Sequence, residues 1–520
     1  MQDHSLDVLI IGAGVSGIAV ARSLQQRCPD KGFALIERRQ RLGGTWDLFR
    51  YQGARSDSDM LSYAYESRPW RSAQVLAGAG AIRDYLRDTV HEAGLNHKIH
   101  YGQRVRTAQW SSDEQIWTVH TESVGGSQPT TWRSRFLVFG TGYYDHDGGH
   151  RPQWPGLEAF TGQVLHPQTW PEGVELRGRR IVVVGSGATA VSLVPALADA
   201  GAQVTMLQRS PTWLLSMPST DPVAGVLGRL LPQRWALAIA RRVNIGGAAA
   251  VYRMARRWPK PTGRWLRQSV AAQLQGAGDL GDFTPRYDPW QQRLCVVADG
   301  DLFRCVREGK AQVVTDEIEA FDASGVRLRA GQRLEADIVV TATGLRLQAL
   351  GGIDVRVDGA PWRAAEHMLY RGVLPEGLPN AAWILGYINA SWTLKAELGA
   401  TYLCRLIAHL DDRRLAVAVA RDHAGCRMTD SVMSMLDAGY VRRGNAELPR
   451  QGDRAPWRVT HDLRVDRQQL LHEPIEDGWL CLEPPRSRGD ATTPAADVLD
   501  DPVTLWSREE GAILDKVGAG

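Results

Sequence analysis

A chain of 520 residues is too long for one compact core and predicts roughly three to four domains. Its 61 Lys and Arg nearly balance 58 Asp and Glu, and a net charge of +3 argues against the strongly basic footprint of a nucleic-acid binder, although local patches remain open. The six cysteines, Cys28, Cys295, Cys305, Cys404, Cys426 and Cys481, form no C-x-x-C pair, so neither a zinc ribbon nor a dithiol redox centre is expected and a reducing cytoplasm fits best.

The first predicted element is the apolar run Leu6–Ile11, which lacks a positive leader and enters Gly12-Ala-Gly14-Val-Ser-Gly17 directly, so it reads as a strand and not as a signal peptide. No apolar stretch reaches the roughly 18 residues that suggest a membrane span. A lone G-x-G-x-x-G is a weak signal, but here a buried-type strand precedes it and a helix-like stretch follows it. Gly12 permits the tight turn, Gly14 lets a pyrophosphate approach the backbone, and Gly17 lets helix pack closely on strand. The unpaired amides and positive helix end then hold phosphate. The next strand, Phe33 to Ile36, ends in Glu37, where an acid accepts hydrogen bonds from a free adenosine ribose. Arg41-Leu-Gly43-Gly44-Thr45-Trp46 adds a glycine pair for close backbone approach with an aromatic plane behind it. Together these features make FAD the expected occupant. The strand Arg135–Phe139 and the turn Gly140-Thr-Gly142 close this region, which is assigned to 1–146 as the first part of an FAD-binding domain.

After a linker at 147–178, a second βαβ pattern begins with Ile181–Val184 and Gly185-Ser-Gly187-Ala-Thr-Ala190, with alanine in the third glycine position. Its matching strand ends in Gln208-Arg209-Ser210, which replaces the acid with a guanidinium and a hydroxyl suited to a 2′-phosphate. NADPH is therefore expected at 179–333. Within that range, 220–290 reads as a helical insertion. The arginine-rich stretch from about Val223 to Trp265 reads first as a lid or inserted hairpin over the active site, and second as a peripheral contact with a membrane surface. Strand-like segments follow at Gln312 to Thr315 and Gly325 to Leu328. The strand Ala336–Thr341, followed by Ala342-Thr-Gly344, resembles a chain crossing back to the first domain, whose second part is placed at 334–410. Residues 411–520 read as a C-terminal covering region with a polar tail at 490–497. The expected architecture is an α/β fold of two Rossmann-like dinucleotide-binding domains, one for FAD and one for NADPH, with a helical insertion and a C-terminal appendage.

Between the two glycine turns lies Phe160-x-Gly162-x-x-x-His166-x-x-x-Trp170-Pro171. With Gly43–Arg50, Arg55-Ser-Asp57-Ser-Asp59-Met60, Trp290–Cys295, Gly300–Phe303 and Asn389–Lys395, it carries a resemblance that runs from the N-terminus to about Pro456. On these residues the chain resembles the flavin-dependent Baeyer-Villiger monooxygenases, nearest the subgroup typified by the ethionamide-activating enzyme. Gln52 departs from the pattern, because proline commonly precedes the glycine at this point in the family. Gln52 is expected to loosen the approach to Asp57, and it removes no catalytic group.

The resemblance implies that NADPH reduces FAD, that dioxygen adds at flavin C4a, and that the resulting peroxide attacks a hydrophobic ketone to give an ester or lactone. It assigns Arg293 as the cation that keeps the oxidant anionic, Asp57 as the group that orients Arg293, and His166 as a hinge residue governing coupling and not a metal ligand. The segment Ile384 to Trp392, with Asn389, leads into a helix-like stretch reaching Leu406, and its amides are expected to face the flavin pyrimidine. A neighbouring alternative is a flavin monooxygenase that oxidises sulfur or nitrogen in sulfides, thioamides or amines. More distant ones are a nicotinamide-flavin reductase without oxygen insertion and a non-catalytic redox-sensing protein. No nucleic acid and no metal are expected.

Overall fold

The computed structural model describes residues 3–124 and 129–486; the polar tail at 490–497 lies outside the described residues. The strand Asp3–Ile11 is the centre of a nine-stranded sheet, paired in parallel with Phe33–Glu37 on one side and Thr131–Phe139 on the other. Strands covered on both faces need apolar side chains throughout, and Val8, Leu9, Ile10 and Ile11 are all buried. Helix Val15–Arg27 leaves the first strand and packs against the long helix Trp392–Asp412. An antiparallel hairpin, Gln103–Ser111 with Ile116–Ser123, joins the sheet at Thr131–Phe139, and Ala381–Trp383 returns late in the chain to pair with that same strand. The first domain is thus discontinuous in sequence.

The second sheet has five parallel strands in the order Ala311–Thr315, Gln203–Gln208, Arg180–Val184, Ile338–Thr341 and Gln163–Leu165. This order corrects two expected boundaries. Ile338–Thr341 does not begin the return to the first domain; it is buried between two strands of the second sheet, and the chain crosses back only after Thr341. Its run Ile-Val-Val-Thr is covered on both faces, as an inner parallel strand requires. The linker likewise contributes Gln163–Leu165 as the edge strand of this sheet.

The two crossings, at residues 140–150 and 342–348, run side by side. The Asp145 amide donates to the Arg346 carbonyl at 2.9 Å, the His150 amide to the Gly344 carbonyl at 2.9 Å, and Tyr144 bridges Leu347 in antiparallel register. The insertion folds as three helices, Pro222–Leu230, Gln233–Arg257 and Pro259–Leu274. The covering region is anchored by the buried Arg371, which donates to the carbonyls of Gln469 at 2.6 Å and Pro474 at 3.1 Å and pairs with Asp477 at 3.0 Å. No helix among the described residues is long and apolar enough to cross a membrane.

Candidate active site

The first glycine turn is shaped by contacts that leave no room for side chains. A Cβ on Gly17 would lie 1.9 Å from the Gly12 carbonyl oxygen, and one on Gly12, which has φ +102°, would lie 2.8 Å from the Gly140 oxygen. Gly14 and Gly44 face one another, each Cβ position falling within 3.4 Å of the other's Cα. A cradle of bare backbone results, with the N-terminus of Val15–Arg27 behind it. The Gly43-Gly44 loop is pinned by buried Asp47, whose carboxylate meets Arg50 at 3.0 Å and Arg39 at 3.2 Å.

A cleft of about 1470 Å³, including its open mouth, runs from Glu37 and Arg38 past Gly12, Gly14, Gly44, Thr45 and Trp46 to Asp57, Arg293 and Trp392. Glu37 is buried, and burial pushes its carboxyl above the usual range although the amides of Ala13 and Arg39 each donate to it at 2.9 Å. Each of its oxygens keeps a second lone pair for a ribose hydroxyl. Trp46 is fixed by an indole hydrogen bond to the Tyr63 hydroxyl at 2.7 Å. At the far end Ser391 precedes helix Trp392–Asp412, makes no capping bond to its first turn, and shares a 2.6 Å hydrogen bond with Ser62. Ala390 and Trp392 line the cleft beside that helix end. Asn389 does not: its side-chain amide donates to the His461 carbonyl at 3.1 Å. The bare-backbone cradle, the ribose acceptor and the uncapped helix end fit an extended dinucleotide with a flavin at the Trp392 end.

A second cleft of about 1890 Å³, again including its mouth, lies over the other glycine turn and contains Gly185, Gly187, Arg209 and Ser210. A Cβ on Gly185, φ +136°, would come 2.3 Å from the Ala342 carbonyl oxygen, whereas Gly187 has open space above it for a phosphate. Ala190, in the first turn of helix Ala188–Asp199, is fully buried and packs in the second-sheet core, so it does not line the cleft. Arg209 and Ser210 are exposed at the cleft's edge, and Arg209 has no ion-pair partner among the described residues. Arg443, from the covering region, enters the same cleft, and burial followed by repulsion from Arg209 lowers its pKa. Two guanidinium groups without ion-pair partners among the described residues thus line one cleft, where they attract negative charge. The nearby acid Glu317 is engaged with Arg329 at 2.7 Å, and Asp316 accepts from the Glu317 and Ala330 amides.

The clefts meet at Asp57, Tyr144 and Arg293, which line both. Arg293 Nη2 donates to Asp57 Oδ1 at 3.0 Å and its Nε lies 3.0 Å from Oδ2, a two-point pairing that fixes the plane of the guanidinium. About 30% of the Arg293 side chain and 31% of the Asp57 side chain stay exposed to the clefts. Asp57 raises the Arg293 pKa further, so the cation persists at any working pH. Around it, burial lifts the phenols of Tyr143, Tyr144 and Tyr440 above their ordinary range, and they remain neutral. Burial pushes the adjacent Cys295 up to about 11, which leaves an unreactive thiol.

His166 stands apart from both clefts. It follows edge strand Gln163–Leu165 and is buried, with its Nδ1 accepting from the Gln168 amide at 3.1 Å. A Cβ on Gly149 would overlap the imidazole, so the ring is packed beneath the first crossing. Gly162 is required for a similar reason: a Cβ there would lie 2.4 Å from the Phe160 ring and 2.5 Å from the Asp337 carbonyl oxygen. Burial pushes His166 and His146 down to about 4 and His461 to about 3. Below about pH 6.5 the unfolded chain takes up protons that these native imidazoles refuse, so their stabilising effect is lost as pH falls towards about 4. The thermal midpoint is therefore expected to drop between pH 7.5 and about 5.5, with a shallower slope in His166→Gln; equal slopes in scanning fluorimetry would refute this role of the imidazole.

Sequence reasoning located Arg293, Asp57 and both glycine turns, and missed Tyr143, Tyr144, Tyr440 and Arg443. The two tyrosines directly after Gly140-Thr-Gly142 carried a signal in their position. Tyr440 and Arg443 carried none, since they reach the site from short helix Gly439–Gly444 in an irregular region.

Residues 9–257 match the family of pyridine nucleotide-disulphide oxidoreductases. The match covers nucleotide-binding architecture, while the cysteines here are all unpaired. The chain is 49% identical over 484 residues to MymA of Mycobacterium tuberculosis, named as an FAD-containing monooxygenase, covering 92% of this chain and 98% of that one. It is 44% identical over 482 residues to the FAD-containing monooxygenase EthA of the same species, covering 92% and 98%. Among solved structures, an oxidized steroid monooxygenase bound to NADP superposes with a TM-score of 0.73 at 22% identity, covering 92% of this chain and 100% of that one. Cyclohexanone monooxygenase from Rhodococcus sp. Phi1 bound to NADP+ gives 0.72 at 18% identity, covering 93% and 100%. These two structures share the fold.

Proposed function

Because the chain belongs to the FAD-containing monooxygenases, we propose that it uses NADPH and dioxygen to insert one oxygen atom beside the carbonyl of hydrophobic ketones, giving esters or lactones. The observation that carries this reading is a permanently charged Arg293, oriented by Asp57, at the junction of the two clefts. When bound, FAD supplies the activation of dioxygen after reduction by the nicotinamide.

The chain's own residues divide the remaining work. Gly12, Gly14 and Gly44 admit the pyrophosphate backbone, and Glu37 accepts from the adenosine ribose. Thr45 and Trp46 line the approach to the flavin, while the N-terminus of Trp392–Asp412 favours negative charge at the flavin's pyrimidine end by roughly 0.3 to 1 kcal/mol. Arg293 stabilises negative charge on oxygen, first on the attacking oxidant and then on the oxyanion developing at the substrate carbonyl. A cation about 4 Å from such a charge, at an effective dielectric of about 20, contributes on the order of 4 kcal/mol. Tyr143, Tyr144 and Tyr440 wall this point with neutral groups, so Arg293 and Asp57 dominate the local field. His166, at the crossing between sheets, is assigned to coupling the two domains and makes no contact with the reacting atoms.

At the second cleft Arg209, Ser210 and Arg443 favour the 2′-phosphate of NADPH. Arg209→Ala is expected to lower the preference for NADPH over NADH by about 10- to 100-fold, the equivalent of one or two charge-assisted hydrogen bonds. Arg443→Ala should act in the same direction. Steady-state kcat/KM with each nucleotide reads this directly, and an unchanged ratio in both variants removes the assignment. For the reaction itself, incubating the holoenzyme with NADPH, air and a ketone panel should give products heavier by one oxygen with ester connectivity. Oxidation confined to sulfides, thioamides or amines would instead favour the sulfur- or nitrogen-oxidising reading.

A further inference from the structure

We propose that the three inserted helices, Pro222–Leu230, Gln233–Arg257 and Pro259–Leu274, form a face that docks on the surface of an anionic lipid bilayer. This goes beyond the oxygenation chemistry and does not rest on the ketone reading.

The sequence between Asp221 and Asp279 holds ten Lys and Arg and no Asp or Glu, in a protein whose total charge is only +3. Among the described residues only Arg241 of these ten is ion-paired, at 3.9 Å to Glu397. Seven of the ten exposed large apolar side chains of the described protein lie within 226–265, so the cations are interleaved with apolar groups and not with counter-ions. Leu230 is 74% exposed, Trp258 57% and Trp235 53%. Val226 and Leu230 lie four apart in one helix and share a face, while Leu231 and Trp258 stand at the non-helical junctions that precede the helices carrying Trp235 and Trp265. Exposed tryptophan and leucine among arginines are the composition of a helix lying in a headgroup region, where indoles sit at the apolar boundary and guanidinium groups meet lipid phosphate.

Charge complementarity selects the occupant. A second copy of this chain, paired symmetrically through this face, would bring each cationic set against another. Nucleic acid would neutralise the cations but leave leucine and valine side chains in water. An anionic bilayer satisfies both. Helix Gln233–Arg257, at about 1.5 Å per residue, extends roughly 37 Å, long enough to lie along a surface.

The inner side of the same helix is tied to the catalytic region. Arg241 donates to the carbonyls of Leu61 at 2.6 Å and Ala64 at 2.7 Å, and Asn244 donates to Asp59 at 3.1 Å and Asp221 at 2.7 Å. These contacts begin two residues beyond Asp57. A bilayer held on the outer side would thus lie one helix layer from the junction of the clefts.

The test is flotation of the FAD-loaded full chain with vesicles of phosphatidylglycerol and phosphatidylcholine, or of phosphatidylcholine alone. Binding is expected to be at least about tenfold stronger to the anionic vesicles and to weaken as salt is raised. The variant L230E/W235E/W258E should bind at least about tenfold more weakly than wild type while keeping its flavin absorbance and its NADPH oxidation rate. Glutamate at Met428 and Val465, apolar positions 40% and 38% exposed outside the insertion, should leave binding unchanged. Equal binding to both vesicle types, or equal binding by wild type and the triple variant, overturns the proposal. So does a dimer in light scattering that the triple variant abolishes without any vesicle binding by wild type.

Discussion

Arg293→Ala is expected to lower ester formation by about 10²- to 10³-fold, the range observed when a single preorganised donor to a developing oxyanion is removed. NADPH oxidation should continue, with reducing equivalents released as hydrogen peroxide. The reason lies in the geometry: two nitrogens of one guanidinium contact two oxygens of Asp57 at 3.0 Å, which leaves Nη1 outside that pairing in a side chain that lines both clefts. Alanine removes the charge and leaves Asp57 unneutralised beside the reaction, so developing negative charge meets repulsion where it met attraction. Arg293→Lys should fall between wild type and alanine, because lysine keeps the charge but lacks the planar fork. Product analysis by mass spectrometry alongside NADPH consumption separates the two effects. Ester production by Arg293→Ala at near wild-type rate would exclude the assigned role. Retention of sulfide oxidation in a variant that makes no ester would show that an electrophilic oxidant, which need not be anionic, still forms.

The second large effect is expected at Gly17. An alanine Cβ there would stand 1.9 Å from the carbonyl oxygen of Gly12, a residue tied by its amide to the Ile36 carbonyl at 2.7 Å, so helix and turn must separate. Destabilisation of about 3 kcal/mol, at the upper end of overpacking effects, should accompany loss of bound FAD. Gly187→Ala is the matched control. It occupies the middle glycine position of the second turn, which corresponds to Gly14 and not to Gly17, with φ −76° and nothing within 4 Å of the added Cβ. It should keep its thermal midpoint and flavin content and show only a raised KM for NADPH, since the methyl group enters space reserved for phosphate. Similar thermal midpoints and flavin content in Gly17→Ala and wild type would refute the packing argument.

These contrasts show which features could be read from the chain. Unlike Arg293 and Asp57, which are reached only through the family resemblance, the glycine turns, Glu37 and Arg209 lie in short local patterns whose chemistry is legible residue by residue. The placement of Ile338–Thr341 was not, because its apolar run and following Ala-Thr-Gly have the same form as Thr131–Phe139 with Gly-Thr-Gly, and a parallel strand's neighbours are chosen by non-local packing. The segment at Asn389 was recognisable as a helix entry. Which of its groups faced inward was not, since backbone amides and side chains share the same residues. Arg443 and Tyr440 come from the far end of the chain, and only the folded covering region brings them to the cleft.

The paired crossings carry a mechanical consequence. Two connectors joined by the Asp145–Arg346 and His150–Gly344 hydrogen bonds cannot shear past one another, so they act as a single flat strap. Such a strap bends readily about its width and resists translation along its length. A swing of the second sheet about this strap would displace Arg293 least, since Tyr144 of the first crossing lines both clefts together with it.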